Sequence, residues 1–537
     1  FTTGFTVEII APVEGAAIRF STNDKKPDLF NGRDYQGPIE IDETVTIRAR
    51  WKHPDTGVNS ILSSRHFIKL ADASIPDDRK SGATTLPAFE SNLPIVVVET
   101  FGTASENVRD FIPAVVNVHE PINGVTRLTD APTVSTRAVY RLRGKSSFQF
   151  PKKQYRLELR NQSEEDKKVS LLGMAADSDW ILNAPWVDKS FIRNSLVYEL
   201  GRELGMLAPG TRLVEAFVNE DGGPLNYADD YRGVYVLTET VKRGADRMDI
   251  ERLAPCHEEE PEISGGYVVR FDKVDGPTLP GFGGLQATIP DDDEITTAQS
   301  AWIVDYLSDF QSRTRGADSA DPVLGFRSVA DEQSMVNIML INEFTKEQDT
   351  YIFSHYLHKD RNGLLKFGPL WDYNLCFGAG ISTIGTENWN FSSRNSVLGW
   401  ESRIFRGDVE FRQRFIDDWT TLRRGQLSVD QWNARIDRHA APLLDRAGST
   451  TGPATRNFVI WDTLGERNLN EFISPVTDTY EEQVTFLKNW AKDRFDWIDD
   501  QFVDPPRLTL TENDLRIAAG SLFSKGNRCG DQHGQRN

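Results

Sequence analysis

The stretch from Asp349 to Asp372, DTYIFSHYLHKDRNGLLKFGPLWD, constrains the fold more than any other, because it reads as a β-hairpin with a carboxylate at each foot. Residues 351–358 and 364–370 are rich in β-branched, aromatic and aliphatic side chains, and the Asn-Gly step between them is a hairpin turn signal. With the turn centred near Arg361, Asp349 lies 12 residues before it and Asp372 lies 11 after. Antiparallel pairing therefore predicts that the two carboxylates return to one place. Such a pair can divide labour, one acid orienting or deprotonating a hydroxyl nucleophile and the other holding a divalent cation on a polyphosphate. An Asp is usually a solvated turn residue. Here Asp372 stands between Trp371 and Tyr373 and is followed by LeuCysPheGly, which is too apolar a setting for that reading.

The chain has 537 residues, 39% of them hydrophobic and 10% aromatic, enough for two to four packed domains at about 150 residues each. Its formal charge of −19 argues against a general nucleic-acid binder or a binder of anionic membranes, since a negative field repels phosphate. No apolar run is long enough to span a membrane. Three cysteines, Cys256, Cys376 and Cys529, form no disulfide framework. The first residues, FTTGFTVEII, carry neither an initiator Met nor a signal peptide, so the chain is expected to begin within a longer protein.

Residues 1–70 alternate in short runs separated by turn clusters, which predicts a small all-β, immunoglobulin-like sandwich. The polar stretch 71–92 reads as a linker, and LPIVVVET opens a second domain over 93–505. Residues 506–537 contain a strand-like RLTLTE and a polar tail expected to be disordered. The second domain is strand-rich as far as Lys273 and helical from about Ala301, an α+β order. Its Trp and Phe anchors read as interhelical core rather than a sugar platform.

Alternation along Gln154–Arg160 places Lys153 on the face of Tyr155, Leu157 and Leu159, and Lys152 on that of Gln154 and Arg156. A lysine there either snorkels past the sheet or reaches into a cleft toward phosphate. The helical segment after Asp188 has an apolar stripe from Ile192 to Leu204, with Arg193, Glu199 and Glu203 within or beside it. Charges so placed need partners, either in a structural ion-pair network or at a cleft lysine. Glu239 ends the strand RGVYVLTETV. The acidic run 291–294 and HisGluGluGluPro at 257–261 read as loops, the latter lacking the second histidine of a zinc motif.

Four segments in order, RGKSSFQFPKKQYRLEL, LLGMAADSDWILNAPWVDKSFIRNSLVYELGRELG, GVYVLTETVKR and GPLWDYNLCFG, resemble the CotH family of atypical, secreted protein kinases named for a spore-coat protein. The first 70 residues resemble the immunoglobulin-like module at the end of chitobiases and of other secreted bacterial proteins. The kinase resemblance implies a two-lobe, protein-kinase-like fold, ATP with Mg²⁺ or Mn²⁺, and a protein substrate carrying Ser or Thr at the cell surface or outside it. By position it implies that Lys153, or else Lys152, contacts the nucleotide phosphates with Glu203 or Glu199 as ion-pair partner, and Arg193 and Glu239 are expected to complete the ATP-binding set. It makes Asp349 the catalytic aspartate and Asp372 the metal-binding one, with Asn374 a further ligand or a loop hydrogen-bonder. No GxGxxG loop covers the phosphates, and Ser354 stands where kinases place a metal-binding asparagine, a weaker ligand for a hard cation. Two rival readings are another nucleotidyl transfer on the same scaffold, and a non-catalytic surface protein whose β module binds polysaccharide or a cell-surface component.

Overall fold

A computed structural model of the chain describes residues 1–75, 85–104, 109–274, 276–291, 293–381, 385–393, 396–444, 451–502, 507–511 and 514–518. The architecture is mixed α+β: small antiparallel sheets at the N-terminus, a seven-stranded barrel, and a mostly helical C-terminal half.

At the N-terminus, Phe5–Val7 pairs with Ile39–Ile41, and Arg33–Asp34, Ala17–Ser21, Val45–Lys52 and Ser63–Phe67 form a four-stranded sheet. Phe20, Ile41, Val45, Ile47 and Ala49 are its core. A buried charge cluster ties this part to the barrel: Arg137 grips the Asp24 carboxylate with two hydrogen bonds of 3.0 and 2.8 Å, and Arg48 donates to the Asp24 and Gln162 carbonyls at 2.8 Å. Of the stretch expected as a linker, residues 76–84 lie outside the described residues. Leu86 and Phe89, just after them, are buried, and Glu90–Ser91 pairs with Thr126–Arg127.

The barrel runs in the order Val134–Arg143, Gln154–Arg160, Asp179–Asn183, Tyr231–Glu239, Thr211–Asn219, Ile95–Glu99, Ile112–His119 and back to the first strand. All contacts are antiparallel except that of Thr211–Asn219 with Ile95–Glu99. Strict alternation explains the closure. Tyr140, Leu142, Tyr155, Leu157, Leu159, Trp180 and Leu182 fill the interior, so Arg141, Arg143, Gln154, Arg156, Ile181 and Asn183 face outward.

Beneath that outer face lie the helix Arg193–Glu203 and a four-stranded sheet ordered Leu285–Ile289, Tyr267–Phe271, His355–Lys359, Leu365–Phe367. The larger helices that follow include Thr297–Arg315, Glu332–Thr345, Val409–Arg424, Val429–Ala440 and Tyr480–Asp499. Trp419, Trp432, Phe411, Phe415 and Phe495 on these helices are core, as is Trp400. The strand-like RLTLTE is a strand, Arg507–Thr511, paired with Asp514–Ala518. The expected disordered tail beyond Ala518 lies outside the described residues.

One late helix, Pro453–Ile460, returns to the barrel. Arg456 holds the buried Glu215 with bonds of 2.9 and 2.6 Å, and Tyr231 donates to the same carboxylate. Arg456→Met would remove the cationic partner of the buried Glu215 and leave the Tyr231 hydroxyl to hold its charge, so we expect a loss of about 3–5 kcal/mol. A lowered urea midpoint with an unchanged denaturant slope would register it.

Candidate functional site

The barrel's outer face, the helix Arg193–Glu203 and the four-stranded sheet enclose a cavity of about 550 Å³. Its roof is Arg141, Arg143, Gln154, Arg156, Ile181, Asn183 and Thr238, delivered by the outward positions of four adjacent barrel strands. After Arg143 the chain turns sharply through Gly144, at φ +112°, where any β-carbon would collide with Ser147 Oγ. That turn brings Lys145, Ser146 and Ser147 to the cavity edge. Lys145 Nζ donates to the Lys273 carbonyl and lies 3.3 Å from Asp272, while Lys273 Nζ donates to Ser146 Oγ. The loop is therefore laced to the end of the strand Tyr267–Phe271 below it. Phe150, Val187, Leu375 and Phe472 form an apolar wall.

Asp349 and Asp372 both face this cavity, with Ser354 and Asn374 beside them. The hairpin that delivers them is shorter than the sequence predicts. Leu357, His358 and Lys359 pair with Phe367, Lys366 and Leu365, but residues 349–354 coil into a tight turn in which the Asp349 carbonyl accepts from Phe353 at 2.7 Å. Tyr351 and Ser354 take positive φ there, 72° and 51°. Asp372 is also left-handed, at φ +64°, and its N–H donates to the Tyr198 hydroxyl at 2.9 Å. A non-glycine residue in that region is uncommon, and Asp tolerates it better than most.

Burial, followed by the charge of Asp349, pushes the Asp372 carboxyl up to about 6, with Arg143 opposing and Asp272 adding. Glu347, buried beneath, is held well above the ordinary range by burial and by both aspartates. The site thus sets Asp349 and Asp372 beneath a roof that carries Arg141, Arg143 and Arg156.

Among the described residues no three His, Cys, Asp or Glu side chains converge as a closed metal cage. A cation bound to polyphosphate does not need one, since one or two carboxylates suffice when phosphate oxygens and water complete the shell. Asp372, raised by burial and by its acidic neighbours, with Asn374 and Ser354 on the same wall, fits that requirement. It also sets a pH dependence. Below about pH 6 the carboxyl takes up a proton that a cation must displace, so Mg²⁺-nucleotide affinity should fall ~10-fold per pH unit there and level off above it. Titration calorimetry at pH 5, 6 and 7.5 reads this directly.

The remaining positions singled out by sequence lie elsewhere. Lys153 precedes its strand, donates to the Phe148 carbonyl at 2.9 Å and rests on the Phe148 ring, away from the cavity lining. Lys152 is fully buried and donates to Val234 O at 2.5 Å and Asn457 Oδ1 at 2.7 Å, an interior tie whose pKa burial lowers well below the lysine value. The alternation begins only at Gln154, so extending it backward misplaces both lysines. Glu199 and Glu203 face the helix Val429–Ala440, where Arg435, Arg438 and His439 hold them. Arg193 is pinned inside by Asp188 and the Cys376 carbonyl. Glu239 accepts from the Gly210 and Ala175 N–H groups, at 2.8 and 3.2 Å, beside a separate cavity. Of the two readings open for the charged helix, its side chains form the structural ion-pair network and do not reach a cleft lysine. In place of the lysines, the cavity's cations are Arg109, Arg141, Arg143, Lys145, Arg156, Arg270 and Lys273. Two signals could have found several of them: the RGKSS loop, and the spacing of Arg137, Arg141 and Arg143 opposite the face that carries Tyr140 and Leu142.

The family described as CotH kinase protein matches residues 140–498, more than half of the chain and every cavity residue except Arg109. The chain belongs to the CotH kinase family. It is therefore an atypical protein kinase, and the family implies ATP as phosphoryl donor. Comparison with curated proteins gives no match. The CotH match begins inside the first roof strand, so Ile95–Glu99 and Ile112–His119, which close the same barrel, lie ahead of it.

Proposed function

We propose that the chain transfers the γ-phosphoryl group of ATP to Ser or Thr hydroxyls of secreted or surface proteins, with the barrel and the helical half acting as the two lobes of a kinase-like fold. The observation that carries this reading is that Asp349 and Asp372 line one cavity whose roof carries Arg141, Arg143 and Arg156. The adenine would lie against Phe150, Val187, Leu375 and Phe472, and the phosphates would run toward Arg143, Lys145 and Lys273. A divalent cation held by Asp372, with Asn374 or Ser354 beside it, would supply charge neutralisation on the phosphates.

Asp349 orients the acceptor hydroxyl and takes its proton as the oxygen attacks the γ-phosphorus. The bond to the β–γ bridging oxygen breaks, and ADP leaves against Arg143, which offsets the charge appearing there. Ser354, a weaker ligand than an amide carbonyl, favours a single cation over two. The first 70 residues serve as a surface-directed module, a reading supported by their resemblance to the chitobiase-type sandwich.

Incubation with γ-labelled ATP and Mg²⁺ or Mn²⁺ tests the reaction, with mass spectrometry of the product. The expected result is the addition of one phosphoryl group. Addition of AMP instead would establish the nucleotidyl alternative. No product together with no nucleotide-induced thermal shift would establish the non-catalytic one.

A further inference from the structure

The cavity carries seven basic side chains against three acidic ones, Asp272, Asp349 and Asp372, in a chain whose net charge is −19. Some of these cations are already paired: Asp272 lies beside Lys145 and Arg270, and Glu158 and Asp179 hold Arg156. Arg141 and Arg156 stand directly opposite each other on adjacent strands, a like-charge pair whose repulsion Glu158 and Asp110 offset in part on the Arg141 side. Each has an Nε–H that is buried and without a hydrogen-bond partner among the described residues. Arg156 shares Asp179 and Glu158, at 2.7 and 3.1 Å, whereas no ion pair involves Arg109 or Arg141 among the described residues. Stacking holds those two in place instead: Arg109 lies 4.1 Å from the Phe148 ring centre and Arg141 lies 4.6 Å from that of Phe111. Arg141 also donates to the Arg109 carbonyl at 3.4 Å, which joins the two into one rim.

This rim is set apart from the phosphate wall. The Arg141 and Arg156 pair is two residues along the strands from the Arg143 and Gln154 pair, a distance of roughly 7 Å at ordinary strand rise. An extended chain covers that distance in about two residues, so an acceptor entering past the rim reaches both the rim and the phosphate wall. We propose, resting on the kinase reading of the same cavity, that its acceptor is an acidic peptide segment, with a carboxylate flanking the phosphorylated hydroxyl seated on Arg109, Arg141 and Arg156.

The full chain with Mg²⁺ and ATP tests this against three synthetic peptides of equal length, each with one Ser flanked at two positions on either side by Glu, Ala or Lys. The Glu peptide should show a kcat/KM ~10-fold or more above the Ala peptide, carried by KM, with the Lys peptide poorest. Arg141→Glu should reverse that order toward the Lys peptide, whereas a merely structural role for Arg141 would lower all three together. Arg109→Gln gives the same direction more weakly and keeps the test alive if the first variant does not fold. Transfer with no preference among the peptides, or a rise in the KM for ATP in both variants with the peptide order kept, overturns the proposal and assigns the arginines to the nucleotide. Absence of both transfer and nucleotide binding in the unaltered chain overturns the kinase reading itself, a different result from transfer with the wrong order.

Discussion

Asp372→Asn is expected to lower phosphoryl transfer by ~10³-fold or more while giving a protein more stable than the original. Both effects follow from one carboxyl. Burial and the neighbouring Asp349 and Asp272 raise it to about 6, so the folded protein binds that proton more tightly than the unfolded chain does. An unfolded Asp titrates near 3.9. The stability contribution of the bound proton is complete below about pH 4 and is lost as pH rises through about 6, which leaves the ionised form strained by on the order of 2–3 kcal/mol at neutral pH. Asparagine keeps the shape, removes the charge, and accepts the left-handed backbone at φ +64°. The melting temperature of the variant should therefore exceed that of the original at pH 7.5, and the difference should shrink at pH 4. A variant of unchanged activity would remove Asp372 from the reaction.

Arg143→Met should weaken ATP binding ~10²-fold, and Lys153→Met should change it only a few-fold. Arg143 lies on the cavity roof, its guanidinium lowered from the ordinary value by burial and supported by Asp372. Its neighbour Gln154 accepts from Nη1 at 3.1 Å and leaves the rest of the planar fork for phosphate oxygens. Lys153 spends its ammonium on the Phe148 carbonyl. Equilibrium binding of Mg²⁺-ATP by calorimetry decides between them, and a greater loss in the lysine variant would return the phosphate contact to Lys153. Arg143→Lys should recover only part of the affinity, because a point charge cannot reproduce a fork.

The hairpin was legible in sequence because its signals are local: a turn dipeptide, β-branched runs and an acid at each end. Its feet were less so, since the turn at Asp349–Phe353 depends on Tyr351 reaching Glu343, a contact between a loop and a buried helix position. The α+β order and the aromatic core followed from periodicity. The lysine contact did not, because a period of two holds only where the backbone is extended, and Pro151 and Lys152 form a bend before the strand. Glu199 and Glu203 show a second gap. The helix wheel placed them beside the apolar stripe, but which element covers that stripe is tertiary, and the helix Val429–Ala440 comes more than 200 residues later. The arginine roof exists only once the barrel closes and its outer face becomes one surface.

That closure bears on where the kinase unit starts. The ring is completed by Ile95–Glu99, wedged in parallel against Thr211–Asn219, and by Ile112–His119. A fragment trimmed to Tyr140–Ile498 would keep Asp349 and Asp372 yet lose two staves and most of a third. Two bare edges would then be exposed, with Val214, Ala216 and Val218 opened to water, the pattern that invites strand addition between molecules. The segment that carries the family's signature is thus smaller than the segment that can stand alone, and inheritance of the activity requires the unsigned staves to travel with it.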